Sequence, residues 1–157
     1  MKVVTILFLL KDNQILLAMK KRGFGAGKWN GVGGKADAGE TAAQAAVREC
    51  QEEIGVTPRN PQFVGDIKFL MTTDPSFGHH AHVFVANEWE GDPTETEEMR
   101  PQWFNVTDIP YDKMWADDPL WVPLVLAGKH FQADITLDGD DKDGSVISSD
   151  IREVAPS

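Results

Sequence analysis

Strand-length apolar runs lie on both sides of one helix-length stretch, and that order of segments restricts the fold more than any other feature. The runs cover residues 3–10, 15–19, 63–71, 82–88, 103–106, 131–137 and 145–151, alternating or continuously apolar as half-buried and buried strands require. The helical stretch, 41–54, is alanine-rich, begins beside Glu40 and stops at Gly55, a residue type that ends helices readily. A shorter helix is expected over 119–127, with Asp118 as N-cap, Pro119 at the first helical position, Gly128 just past the end and a weak point at Pro123. No repeat, low-complexity segment or linker divides the chain. One mixed α+β domain over 1–157 is therefore expected.

The apolar opening is too short for a signal peptide, has no small-residue cleavage site and runs directly into the next apolar segment. It reads instead as the first strand of a hairpin turning at Asp12 and Asn13. A single cysteine, Cys50, excludes a disulfide within the chain and suits a reducing compartment, so a cytoplasmic protein is expected. No stretch is long and apolar enough to suggest a membrane span.

A formal net charge of −10 argues against a broad basic face for DNA or RNA. The charge is uneven, however. Lys20, Lys21, Arg22, Lys28 and Lys35 stand in a glycine-rich stretch without an acid among them, whereas 134–150 is crowded with aspartates. An acidic chain with one basic, glycine-rich loop fits a small anionic ligand better than a polymer. That loop, 21–39, is also the longest irregular connection, and long loops in compact domains usually carry function.

On the first helix Ala43, Val47, Cys50 and Ile54 form an apolar stripe, and Glu49, Glu52 and Glu53 gather on roughly the opposite side. Like charges at such spacings cost an isolated helix about 0.2–0.5 kcal/mol per pair. A solvated face is the ordinary explanation. The alternative is a cation site, because hard divalent ions select carboxylate oxygens and turn the repulsion into coordination. Magnesium keeps several waters and shares its other positions with substrate phosphates, and a basic glycine loop beside the helix offers backbone N–H groups and lysine charges for those phosphates.

The segment "GKADAGETAAQAAVRECQEEIGV" resembles the Nudix box, with Gly34, Glu40, Arg48, Glu49, Glu52, Glu53, Gly55 and Val56 in register. Cys50 occupies a position where an aliphatic residue is usual, and it reads as a small buried hydrophobe. The resemblance implies an α/β/α sandwich with a mixed β-sheet, and hydrolysis of a nucleoside diphosphate linked to another group. It further implies Mg²⁺, with Mn²⁺ as a substitute, held by Glu49 and Glu53 with Glu52 assisting and the Gly33 carbonyl as a further ligand. Arg48 would orient the catalytic carboxylates, and Glu40 would hold the loop against the helix. Glu98 matches an acidic loop position that reaches the metal centre in relatives.

Outside the box, "KKRGFGAGKWNGVGGK", "EEMRPQWFNV", "IPYDKMWADDPLWVPLVL" and "IREV" are similar to the branch of that family that hydrolyses oxidised purine nucleoside triphosphates such as 8-oxo-dGTP and 2-oxo-dATP. In that branch Thr5, Lys20, Phe24, Asn30, Phe69, Trp115, Asp117 and Asp118 would line the base pocket. The neighbouring carboxylates of Asp117 and Asp118 have their own logic. In a partly apolar pocket they titrate as a pair, and a pair that exchanges a proton matches purine edges of opposite polarity. Asn30 offers a donor and an acceptor, and Phe24 and Trp115 offer flat surfaces.

The similarity breaks over 71–81, where histidines stand in place of apolar residues. Other substrates therefore stay open: normal nucleoside triphosphates, ADP-ribose or dinucleoside polyphosphates. So does a nucleotide-binding module without turnover, although the complete glutamate set speaks against it. His80 and His82 would share one face of a strand, but two histidines without a third ligand do not make a zinc site. The acidic "DGDDKDG" reads as a charged hairpin turn with no function assigned. The chain is expected to act as a monomer on a small nucleotide.

Overall fold

The computed structural model describes residues 2–141 and 143–156. Strands β1 (Lys2–Lys11), β2 (Gln14–Lys20) and β3 (Trp29–Asn30) precede helix α1 (Ala42–Ile54). Strands β4 (Thr57–Arg59), β5 (Gln62–Met71), β6 (Asp74–Ala86), β7 (Glu88–Glu90) and β8 (Met99–Asn105) follow it. A 3₁₀ turn (Tyr111–Lys113), helix α2 (Asp118–Leu126) and strands β9 (His130–Leu137) and β10 (Val146–Val154) complete the order.

One mixed sheet takes in β10, β9, β5, β6, β1, β2 and β3 in that order, with β8 along the other edge of β2. β1 pairs parallel to β6, and β5 parallel to β9, while β5 and β6 run antiparallel. The hairpin at Asp12 and Asn13 forms, both residues taking positive φ as a two-residue turn requires. The β1–β2 pairing covers only Leu10–Ile15 and Lys11–Gln14, because β1 commits its length to β6. β4 and β7 form a separate ribbon.

The alternation along β1 supplies both faces of the sheet. Leu7 and Leu9 join Leu16, Ala46, Cys50, Ile54 and Phe84 under α1. Phe8 turns the other way, toward Ile15, Leu17, Trp121, Val122 and Phe131 under α2. Two helices thus cover opposite faces, giving the α/β/α sandwich.

Several local readings need correction. The strand expected over 82–88 starts at Asp74 and ends at Ala86, because β6 is held on both edges by β1 and β5. The expected strand 103–106 extends back to Met99 through pairing with β2, and 145–151 becomes Val146–Val154 through pairing with β9. The loop 21–39 is less irregular than its composition suggests: it contains β3 and bridges β1 at Leu7–Val32 and Val4–Lys35. Asp117, not Asp118, occupies the N-cap of α2, and its side chain makes no capping bond. The helix continues through Pro123.

Candidate active site

Helix α1 is fixed at both ends by local chemistry. Thr41 accepts from the Gln44 N–H while Gln44 accepts from the Thr41 N–H, a reciprocal cap, and Gly55 closes the other end at φ 73°. The buried side carries Ala45, Ala46, Cys50, Glu53 and Ile54. Of the expected stripe, Cys50 and Ile54 are fully buried and Ala43 packs against the same cluster, but the buried side extends round to Glu53, so the three glutamates do not share an outward face. Glu53 is only 4% exposed, whereas the Glu52 side chain is 60% exposed. The physical reason is the glycine loop, which covers the α1 edge that bears Glu49 and Glu53.

That cover depends on small residues. Gly33 lies against β1 so closely that a β-carbon would overlap the Thr5 carbonyl, and one on Gly34 would sit 2.7 Å from Glu49 Cδ. The Thr5 N–H donates to the Gly34 carbonyl at 2.9 Å, and the Gly33 N–H donates to Glu53 Oε1 at 3.3 Å. Glu53 Oε2 is buried with no hydrogen-bond partner, the single such side-chain atom among the described residues. Burial and the neighbouring Glu49 carboxylate push the Glu53 carboxyl up to about 8 against the pull of the Gly33 N–H.

Arg48 organises the rest. Its Nε and Nη2 donate to the two oxygens of Glu40 at 2.8 and 3.0 Å, Nη2 also to the Lys35 carbonyl at 3.0 Å, and Nη1 to Glu49 at 2.9 Å and Glu52 at 3.2 Å. Glu40 in turn accepts from the Asp37 N–H. This fork ties the loop to the helix and orients Glu49. Glu98 enters from a segment docked on the end of α1, where Thr96 donates to the Glu53 carbonyl, and its charge adds to the upward push on Glu53.

These groups fit a divalent cation in their chemistry. An unpartnered buried carboxylate oxygen next to a second carboxylate is costly alone and is relieved by a cation. Among the described residues no three His, Cys, Asp or Glu groups converge as a closed cage. Glu52 is held outward on Arg48, so Glu49 and Glu53 are the carboxylates brought together here. A site of one or two carboxylates is the kind magnesium completes with waters and phosphates.

A cavity of about 450 Å³ opens beside these groups. Every residue expected in a base pocket lines it: Thr5, Lys20, Phe24, Asn30, Phe69, Trp115, Asp117 and Asp118, and Gly33 as well. Phe24 stacks on Trp115 at 5.3 Å between ring centroids and is 72% exposed. The Gly31 N–H donates to Asn30 Oδ1 at 2.8 Å, which leaves the amide NH₂ for a ligand.

Asp117 and Asp118 are 4% and 2% exposed. The Trp121 indole donates to Asp117 at 2.8 Å, and the Trp115 N–H to Asp118 at 3.1 Å. These two bonds explain why neither carboxylate caps α2. Burial raises both acids, and the Asp117 charge adds to the rise at Asp118. An acid raised by folding stabilises the fold fully below its unfolded pKa, and that contribution is lost as pH rises through the folded value. Asp118→Asn cannot ionise. Its stability is expected to match wild type below the pH at which an unfolded aspartate ionises and to exceed it by about 1.4 kcal/mol per pH unit as pH rises from there toward the raised folded value. A difference independent of pH in thermal scans would contradict a buried, protonated Asp118.

The sequence did not single out Gly139, Asp141, Gly144 or His79 as cavity residues, yet all four line it. The first three belong to the acidic turn between β9 and β10, whose position over the cavity depends on sheet order and has no local signal. His80 and His82 do share a face of β6, with ring centroids 4.5 Å apart, and His80 reaches Asp66 on β5. Cys50 is fully buried and its thiol is pushed up to about 12, as an inert core residue should be.

Residues 1–125 match the NUDIX domain family. The chain is 47% identical over 140 residues to an oxidized purine nucleoside triphosphate hydrolase of Danio rerio, covering 89% of each protein. It is 42% identical over 153 residues to the protein of the same name in Mus musculus, covering 98% of this chain and 96% of that relative. Among solved structures, a MutT NUDIX hydrolase from Burkholderia pseudomallei superposes with a TM-score of 0.64 at 28% identity, over 69% of this chain and 86% of that one. The MutT protein of Bacillus halodurans superposes with a TM-score of 0.81 over 96% of this chain and 97% of that one, and at 23% identity it speaks to the fold.

Proposed function

The chain belongs to the Nudix family, and from that premise we propose that it hydrolyses oxidised purine nucleoside triphosphates, 8-oxo-dGTP and 2-oxo-dATP, to the monophosphate and pyrophosphate. The observation that carries this reading is a cavity suited to a purine whose wall at Gly33 and Gly34 adjoins the buried carboxylate pair. Asp117, Asp118, Asn30, Trp115 and Phe24 suit a purine, and Gly33 leads from that cavity to Glu53 and Glu49. The identities to oxidised-purine hydrolases over nearly the full chain support the same substrate class.

Glu49, Glu53 and the Gly33 carbonyl would hold Mg²⁺, or Mn²⁺ in its place, with Glu98 as a further ligand and Glu52 assisting through Arg48. When bound, the ion supplies positive charge to the phosphate oxygens. Lys20 and Lys35 add charge to the same oxygens. Arg48 keeps Glu49 oriented and the loop closed on the helix. The α–β phosphoanhydride bond breaks, a water oxygen bonds to phosphorus, and pyrophosphate departs. Asp117 and Asp118 share a proton, so one donates and one accepts at the purine edge; exchanging those roles accommodates the second oxidised base.

By this reading the chain works as a single domain over 1–157, as a monomer in the cytoplasm, on a free nucleotide rather than a polymer or a membrane. No helix among the described residues is long and apolar enough to cross a membrane. The bond cleaved is tested by product analysis with Mg²⁺ and 8-oxo-dGTP. Equimolar pyrophosphate and 8-oxo-dGMP are expected; orthophosphate with the diphosphate would contradict the mechanism.

A further inference from the structure

The aspartate-rich turn between β9 and β10 does not behave as a detached surface hairpin. Its carboxylates divide into two groups. Asp138 accepts from the Asp140 N–H, and Asp141 from the Asp143 N–H and the Ser145 hydroxyl, so these two shape the turn itself. Asp143 instead reaches Lys28, 115 residues away on the glycine loop, at 2.8 Å. The Lys28 ammonium also stands 5.1 Å from the Trp115 ring centroid.

The two loops converge on the same tryptophan. A β-carbon on Gly25 would come within 3.1 Å of Trp115 Cζ2, and one on Gly144 within 3.2 Å of Cε3. The turn is anchored at its base as well, where the Gly139 N–H donates to Thr72 and the Thr72 N–H to the Leu137 carbonyl. Lys28 is 18% exposed, against 60% for Asp143. The Lys28 side chain is thus mostly covered, on the wall of the cavity that holds Asp118.

We propose that Lys28, clamped by Asp143 over Trp115, is a base-selecting residue, and that the acidic turn contributes to substrate choice by holding this ammonium in place. The proposal rests on the oxidised-purine reading above and adds a residue to it. An ammonium favours the ionised form of a nearby carboxyl, and Lys28 is among the groups that pull Asp118 back toward ionisation. Asp117 on its own helix and Tyr111 on the 3₁₀ turn also interact with Asp118, and Lys20 on β2, His79 on β6 and Asp141 on the acidic turn line the same cavity. Lys28 is the cation tied directly to the turn. Asp143 acts through Lys28 and is a positioning residue.

The test follows the Asp118 carboxyl by ¹³C NMR titration, and kcat/KM for 8-oxo-dGTP and 2-oxo-dATP across pH, in the full chain. Lys28→Gln is expected to raise the Asp118 midpoint measurably and to move the pH dependence of the 8-oxo-dGTP to 2-oxo-dATP ratio by the same amount. Lys28→Arg should stay close to wild type. Adding Asp143→Asn to Lys28→Gln should change neither quantity further. A Lys28→Gln midpoint and preference profile that coincide with wild type would overturn the proposal, as would an Asp143→Asn effect of equal size with and without Lys28. Wild-type protein with no preference for oxidised purines would instead count against the functional reading, and the Asp118 midpoint would still decide the role of Lys28.

Discussion

Glu53→Gln is expected to reduce turnover by about three orders of magnitude, the rate equivalent of about 4 kcal/mol lost from the transition state. Glutamine keeps the size of the side chain and can still accept from the Gly33 N–H, but it offers no charge to a cation. The fold should be unharmed. Glu53 is buried beside Glu49 and carries an oxygen without a partner, so a neutral side chain there removes repulsion. The melting temperature of the variant is therefore expected to equal or exceed that of wild type in thermal scans, which separates loss of chemistry from loss of structure. Near-normal turnover would remove Glu53 from the site.

Gly33→Ala should have the largest structural effect of any single methyl addition near the site. The φ of Gly33 is 155°, and its β-carbon would overlap the Thr5 carbonyl, a backbone atom that β1 holds in place. Overpacking and backbone strain each cost about 1–3 kcal/mol, so a total of about 3 kcal/mol and a fall in melting temperature of about 10 °C are expected. Turnover should drop about a hundredfold because the loop that contacts Glu53 is displaced. Gly39→Ala provides the control. Gly39 also has a positive φ, but nothing lies within 4 Å of a β-carbon there, so backbone strain acts alone. Equal losses at the two positions would show that close approach to Thr5 is unimportant.

The box segment was the most legible part of the sequence because its signals are local. Thr41, Gln44 and Gly55 cap one helix, and Arg48 reaches Glu40, Glu49 and Glu52 within a few turns of chain. What helical periodicity could not supply was the direction of Glu53. Its burial depends on a loop folding over α1, and that loop is positioned by bridges to β1. The same limit applies to Asp117 and Asp118. A Pro-containing helix start predicts a cap, but the carboxylates are claimed by Trp121 and by the Trp115 backbone.

The acidic turn shows the limit most clearly. Its composition identifies a turn and says nothing of what lies beneath it. Only the parallel pairing of β9 with β5 places it over the cavity, next to Lys28 and Trp115. Register between distant strands is a non-local property, and no short motif encodes it.

The central claim, that this cavity selects an oxidised purine for hydrolysis at the Glu49–Glu53 centre, is tested most directly by kcat/KM with Mg²⁺ for 8-oxo-dGTP beside dGTP, 2-oxo-dATP and ADP-ribose. A preference for 8-oxo-dGTP and 2-oxo-dATP over dGTP and ADP-ribose of about tenfold or more, equivalent to about 1.4 kcal/mol in transition-state binding, is the expected result. Equal values for 8-oxo-dGTP and dGTP, or a higher value for ADP-ribose, would contradict it.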